Sequence, residues 1–170
     1  APLNLYSTLA NLNQQLFFKV LLILIFIYGS SSGQKTSRRV DSLTTKLNEA
    51  ASDDERIRIF HELSSASDAS FAITYSKQAL ALAEKRGDSK QRADCLVRLG
   101  SLYSTTSKYK ESAEILNKAV SIGVTEKLPS LLTEAYLELG IVYLRQQNLD
   151  SARAMLHKGL ETSQEVSDDR

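Results

Sequence analysis

The chain has 170 residues, 42% of them hydrophobic and 24% charged, which bounds it to about one folded domain. Residues 1–34 hold one lysine and no acid, so the remainder carries 20 of the 21 basic residues against all 20 acidic ones and is neutral. Neutrality removes the electrostatic case for nucleic acid, whose affinity comes mainly from phosphate neutralisation, and the single cysteine, Cys95, excludes an internal disulfide.

The apolar residues are unevenly spread. Leu16 to Tyr28 reads LFFKVLLILIFIY, and Val20 to Tyr28 holds no polar group except the tyrosine hydroxyl. That run is shorter than the roughly 18 to 20 residues of a spanning helix. Lys19 precedes it and Gly29-Ser30-Ser31-Ser32-Gly33 follows, which are the parts of a secretory signal peptide with cleavage between Ser30 and Gly33. The alternative is an uncleaved anchor helix that begins near Leu12. Residues 1–34 therefore read as signal peptide or membrane-anchor segment, with 16–28 as the anchoring run. No cysteine follows for lipid attachment. The chain begins with Ala, and mostly polar residues precede the apolar run, so a fragment is one reading of this start.

Residues 35–52 read as linker and leading helix. Gln34 to Arg39 is polar, with Arg38-Arg39 solvated. Val40, Leu43, Leu47, Ala50 and Ala51 then follow helical spacing, with Asp41 as a cap. Ser52-Asp53-Asp54 offers a second helix start, its acids suited to the positive end of the dipole, and Ile57, Ile59, Phe60 and Leu63 form the apolar face. Ser64 to Ser70 reads as a turn. The next helix carries Phe71, Ala72, Tyr75, Ala79, Leu80 and Leu82 inward and ends at Lys85-Arg86-Gly87, with glycine as left-handed cap. Asp88 with Gln91 reads as a capping box.

The following helix carries Ala93, Leu96, Leu99, Gly100 and Tyr103, and Ser104 to Ser107 turns it. Its partner runs from about Lys108 to Gly123. Pro129 suits the first turn of the next helix, whose inner face is Leu132, Tyr136, Leu139, Gly140 and Tyr143. Asn148 caps a last helix bearing Leu149, Ala152, Leu156, Gly159 and Leu160. After the apolar run no useful strand-period stretch occurs. The predicted fold is all-α, in antiparallel helix pairs.

These pairs repeat every forty residues. Ala72, Ser112 and Ala152 align, as do Ala79, Ala119 and Gly159, and Leu99-Gly100 aligns with Leu139-Gly140. A glycine inside a helix costs roughly 1 kcal/mol against alanine, so the same phase used twice implies a crossing too close for a side chain. The pattern resembles the tetratricopeptide repeat, bulky-x₂-Leu-Gly-x₂-Tyr followed by Ala-x₃-Phe. Leu96, Leu99, Gly100, Tyr103, Ser112 and Leu116 meet it once. Tyr136, Leu139, Gly140, Tyr143, Ala152 and Leu156 meet it again, more closely. The departures are a period of forty instead of 34 and no terminal proline. In the first pair, Phe60, Leu63 and Ser64 fill the bulky, Leu and small slots only if its first helix is one turn short. The resemblance covers about residues 53–165 and implies a right-handed α-solenoid of about three repeats, near 53–87, 88–124 and 125–165. Ser167 to Arg170 resembles the turn at Gly87-Asp88, so a continuing chain is expected. The opening of the repeats after a signal peptide also resembles the periplasmic repeat regions of bacterial sensor histidine kinases and membrane-tethered helix-turn-helix regulators.

Nothing in the sequence points to covalent chemistry, a metal or a cofactor. His61 and His157 are 96 residues apart and read as surface histidines. No nucleophile-elbow or phosphate-loop frame occurs, and Cys95 reads as a half-buried structural thiol. The resemblance implies a concave groove lined by the first helix of each pair. Its candidates are Asp94, Val97, Arg98, Ser101 and Thr105, then Glu134, Leu137, Glu138, Ile141, Leu144 and Arg145. The Lys/Asn clamp of chaperone-binding members is absent, so that activity is not carried over. The resulting expectation is an exported, periplasmic protein-binding scaffold of a sensor or signalling protein, not an enzyme. Its partner is a peptide or protein, with self-association as a further option. The membrane is touched only through the N-terminal apolar segment. The alternatives are a helical accessory domain of an enzyme and a self-association module.

Overall fold

The computed structural model describes residues 36–168, with side chains to 165. The signal or anchor segment expected over 1–34 lies outside the described residues. Within them there are seven helices and no strand. Helix α1 covers 36–49. It is followed by α2 (Asp53–Ala66), α3 (Ala69–Arg86), α4 (Ser89–Thr105), α5 (Tyr109–Thr125), α6 (Pro129–Arg145) and α7 (Leu149–Asp168). Among the described residues no helix is long and apolar enough to cross a membrane. Residues Leu43–Arg170 form one compact unit, and the packing below is that unit's own.

Most helix starts have a side-chain cap. The Ser52 hydroxyl accepts the Glu55 N–H at 3.2 Å, and the Glu55 carboxylate takes the Ala51 N–H at 3.1 Å. Asp68 accepts the Ser70 and Phe71 amides, Asp88 accepts the Gln91 amide at 2.9 Å, and Asn148 accepts the Ser151 amide. Helix α6 has no such cap and begins with Pro129, whose missing N–H costs nothing at this position.

The ends of α3 to α6 follow one rule. Gly87, Ser107, Lys127 and Gln147, twenty residues apart, all have positive φ, between 54° and 71°. Each turns the chain by a left-handed residue. At three of them a bond closes back across the turn: Lys108 N–H to Tyr103 O, Leu128 to Gly123 and Asn148 to Tyr143, at 2.8 to 2.9 Å. In α4, α5 and α6 each half-repeat is thus a helix of 17 residues and a turn of three. With turns this short, the extra length over a 34-residue repeat lies in the helices.

The glycines sit where the helices of a pair cross. A Cβ on Gly100 would stand 2.6 Å from Leu116, and one on Gly140 would stand 2.7 Å from Leu156. The Ser112 hydroxyl donates to Gly100 O at 2.7 Å across the same crossing. In the first pair the corresponding contact is polar. The Ser64 hydroxyl lies 3.0 Å from that of Ser76, which stands forty residues before Leu116, and it also reaches Ala72 O. Ser64 therefore occupies the small slot, as the shortened register requires, and α2 has only 14 residues. Between pairs, Leu96, Val97, Leu116, Ala119, Leu131, Ala135, Leu139 and Val142 form one buried cluster.

Several local readings change. Residues 36–39 are helical, and Asp41 lies inside α1 instead of capping it. Ser64 and Ser65 extend α2 to Ala66, because Ser65 turns its hydroxyl onto His61 O and Ser64 bonds across the crossing. Gln91 does not reach back to its cap. Its Nε2 donates to Asp54, which also holds Arg86 at 2.6 Å, so the first turn of α2 ties the end of α3 to the start of α4. Those two partners hold the Asp54 carboxyl below its usual range, the Arg86 hydrogen bond first. Gly123 does not end α5. It lies inside the helix, where a Cβ would meet Leu132 and Leu131 at 2.8 to 3.0 Å.

The crossings and the turns make opposite demands, and substitution separates them. Gly100→Ala lowers unfolding free energy by about 1–3 kcal/mol despite better helix propensity, because Leu116 is fully buried and has nowhere to move. Lys127→Gly, at φ 54°, raises it by about 0.5 kcal/mol, whereas Gly87→Ala costs about 1 kcal/mol. Urea melts of the three variants check all the signs.

Candidate protein-interaction surface

The first helices of the three pairs, α2, α4 and α6, line an open cavity of about 240 Å³. Helix α2 contributes His61, Ser64 and Ser65, and α4 contributes Val97, Arg98, Ser101 and Leu102. Helix α6 contributes Glu134 and Glu138, and only Ser76 comes from a second helix. The phase that buries Leu63 and Leu99 between helices turns these neighbours to the open side.

The groove residues read from the sequence divide into two sets. Arg98, Ser101, Glu134 and Glu138 meet around the cavity, with Asp94 half-buried one turn before Arg98. Ser101 donates a side-chain hydrogen bond to Glu138, which lowers that carboxyl, but burial outweighs it and Glu138 ends above its usual range. Asp94 is also raised, first by burial and then by Glu134, against the pull of Lys90 and Arg98. Thr105 is exposed and turns its hydroxyl onto Leu102 O. Arg145 reaches back to α4 and donates to Ser104 O at 2.7 Å and to the Ser104 hydroxyl. The second set is apolar. Val97 is 2% exposed, a member of the interior cluster that shows the cavity only an edge. Leu137, Ile141 and Leu144, on the outer side of α6, are exposed.

Two residues depart from their expected surroundings. His61 is not a surface histidine. It is largely buried, with Nε2 3.7 Å from the Cys95 sulfur and Nδ1 buried without a partner. Cys95 is fully buried instead of half-buried. The geometry suggests a nucleophile and its base, but the electrostatics oppose it. Burial lowers the His61 pKa to about 4, with Arg98 adding to the effect, and burial pushes the Cys95 thiol up to about 12. Both groups are neutral at pH 7, so the pair holds no thiolate. His157 remains a surface residue, paired with Glu161 at 3.2 Å. Among the described residues no group of three or more His, Cys, Asp or Glu side chains stands ready for a metal. The serines of α2 and α3 at the cavity were missed as site residues. Their sequence signal was the run Ser64-Ser65, which read as a turn.

The buried histidine has a pH consequence. Its folded pKa of about 4 lies below the unfolded value of 6.5, so in that window only the unfolded chain takes up the proton. Stability therefore falls as pH drops from 6.5 towards 4, by about 2 kcal/mol after discounting for partial exposure. Asp94 and Glu138, raised in the fold, act in the other direction and lose their contribution as pH rises through their folded values. His61→Gln flattens the acid limb in urea melts between pH 4 and 6.5. An unchanged limb assigns it to other groups.

Comparison with known proteins agrees with the helix-pair geometry. The response regulator aspartate phosphatase A of Bacillus subtilis (strain 168) is 31% identical over 98 residues, 58% of this chain. The chain spans only 26% of that relative's length. The crystal structure of MamA superposes with a TM-score of 0.53 at 20% identity, over 76% of this chain and 81% of that one, which shows a common fold. Tetratricopeptide proteins of this kind are interaction scaffolds. Residues 30–143 match the family described as the SusR N-terminal TPR domain, and the chain belongs to that family.

Proposed function

We propose that this domain is the exported recognition part of a signalling protein and binds a partner polypeptide along the faces of α2, α4 and α6. The observation that carries the reading is the cavity where those three helices meet, with polar groups at and beside it. Asp94 and Glu138 are half-buried carboxylates raised by burial, and the buried Nδ1 of His61 has no partner. A partner that brings donors to these acids lowers the free energy of their charged forms, and each such charge-assisted bond is of the strong kind. The surroundings suit recognition better than catalysis, since the thiol and imidazole are both held neutral. The signalling context rests on the similarity to the response regulator aspartate phosphatase A of Bacillus subtilis. Export rests on the apolar run Leu16 to Tyr28 and the small residues after it, in the periplasm of a bacterium or anchored through residues 16–28.

Two experiments test the reading. Peptides selected from a displayed random library on the whole chain bind the wild type. They lose at least about tenfold in affinity to Ser101→Trp, which fills the cavity, while Glu138→Gln weakens those that carry Lys or Arg. Selected peptides that bind Ser101→Trp undiminished sink the concave-face assignment. An alkaline phosphatase reporter joined after Arg170 is active outside the bacterial cytoplasm if residues 1–34 direct export, and inactive if they do not.

A further inference from the structure

The second half of α1 lies along the first pair, with Leu43 and Ala50 buried, and borders two clefts. One, of about 440 Å³, is acidic: Glu49, Glu55 and Glu62 line it together with Lys46 and Arg58. The other is an open cleft of about 580 Å³ between α1, α2 and α3, and its chemistry is different. Leu47, Phe60, Ala81 and Leu82 give it an apolar wall, and its two charged lining residues, Arg56 and Lys85, are both cations. Small-molecule sites of roughly 300–1,000 Å³ combine such an apolar lining with a few polar or charged groups. Arg56 reaches Asp53 only at 3.7 Å and with 47% of its side chain exposed, a pair too weak to hold the guanidinium against a better anion.

The repeat shows what is particular to this place. Phe60 takes the slot of Tyr136, and Gln78 and Leu82 stand eighty residues before Lys158 and Thr162. In the third pair those side chains close the place themselves. Lys158 lies over the Tyr136 ring at 5.7 Å, and the Thr162 hydroxyl is 2.9 Å from that of Thr133. In the second pair Leu96 is buried and Ile122 packs against the interior cluster. In the first pair Gln78 has no charge to hold over Phe60, whose ring stacks on Tyr75 instead, with centroids 6.2 Å apart. Leu82 has no hydroxyl to bond. The place therefore stays open, with Phe60 and Leu82 partly buried at its wall. The rim differs as well, since Lys85 stands where the third pair has Glu165.

We propose that this cleft binds a small amphipathic anion, an aliphatic carboxylate whose chain lies on the apolar wall and whose head is held by Arg56 and Lys85. Charge complementarity fixes the class. A neutral or cationic amphiphile would meet the same wall but leave both cations without a counter-charge. Guanidinium matches a carboxylate with two parallel donors, and the lysine adds a mobile point charge. The cleft shares no lining residue with the concave cavity, so the proposal does not depend on the partner-binding reading.

Decanoate, kept below its micelle concentration, is titrated into the isotope-labelled full chain and followed by amide NMR, with decyltrimethylammonium as the cation of equal chain length. The amides of Phe60, Gln78 and Leu82 shift saturably with decanoate, and the cation binds at least about tenfold more weakly. Ala81→Trp, at an exposed position, fills the cleft and abolishes the shifts. Lys85→Glu, also at an exposed position, weakens decanoate by at least about tenfold. Lys110→Glu on α5 changes the net charge equally and leaves the affinity unaltered. Unchanged helical circular dichroism shows that the variants keep the fold. Decanoate that gives no saturable shift at these amides overturns the proposal. So does a cation that binds as well as the acid, or a titration left unchanged by either Ala81→Trp or Lys85→Glu.

Discussion

The fold depends on the closeness of two helix crossings. Leu116 lies over Gly100, and Leu156 over Gly140, at separations that leave no room for a methyl group. Everything else in the repeat follows from this approach. Helices so close must be held at a fixed rotation, which sets the faces that pair with the next unit. Turns of two or three residues, each with a left-handed residue, carry that rotation from pair to pair. The first pair solves the same problem with hydrogen bonds. Ser64 and Ser76 replace Gly and Leu, and their hydroxyls bond each other and a backbone carbonyl. A small polar pair at a crossing is satisfied only when both hydroxyls find partners, and here they do.

That first pair shows where sequence reasoning reads well and where it stops. Gly100 and Gly140 were legible because a helical glycine is costly and its repetition needs a cause. The register of Phe60, Leu63 and Ser64 was legible because the repeat is stiff. The helix end at Ala66 was not legible. Serine and alanine have ambivalent propensities, and the bonds that keep Ser64 and Ser65 helical come partly from a second helix that local pattern cannot see. Gly123 failed for a related reason. Glycine at the end of an amphipathic stretch reads as a cap, yet the actual left-handed residue is Lys127, and Gly123 is kept small by Leu131 and Leu132 from α6.

The surface was legible by phase but not by neighbour. Helical spacing grouped Asp94, Arg98, Ser101, Glu134 and Glu138 on the side of the first helices, and four of them meet at one cavity. Spacing also grouped Val97, Leu137, Ile141 and Leu144 with them, although these belong to the side that stacks. The two stripes are neighbours on the helix, about 60° apart at 100° per residue, so a periodicity argument blurs them. Contacts across forty residues divide them. The rotation that points Arg145 back to Ser104 points Leu144 outward.

A single rotation of the first helix thus serves two surfaces. One stripe is polar and concave, and its composition varies freely between repeats: Asp94 and Arg98 in one, Glu134 and Glu138 in the next. The other stripe is constrained by stacking, and it becomes more apolar along the chain, from Val97 and Ser104 to Leu137 and Leu144. Since the crossing glycines fix the rotation of both, the concave stripe of α6 cannot turn without turning the stacking stripe beside it. Glu138 lies on the concave stripe and Leu137 on the stacking stripe next to it. A shift of α6 that improves contact at one surface must move the other by a similar amount, because Gly140 under Leu156 leaves the pair no slack to absorb it.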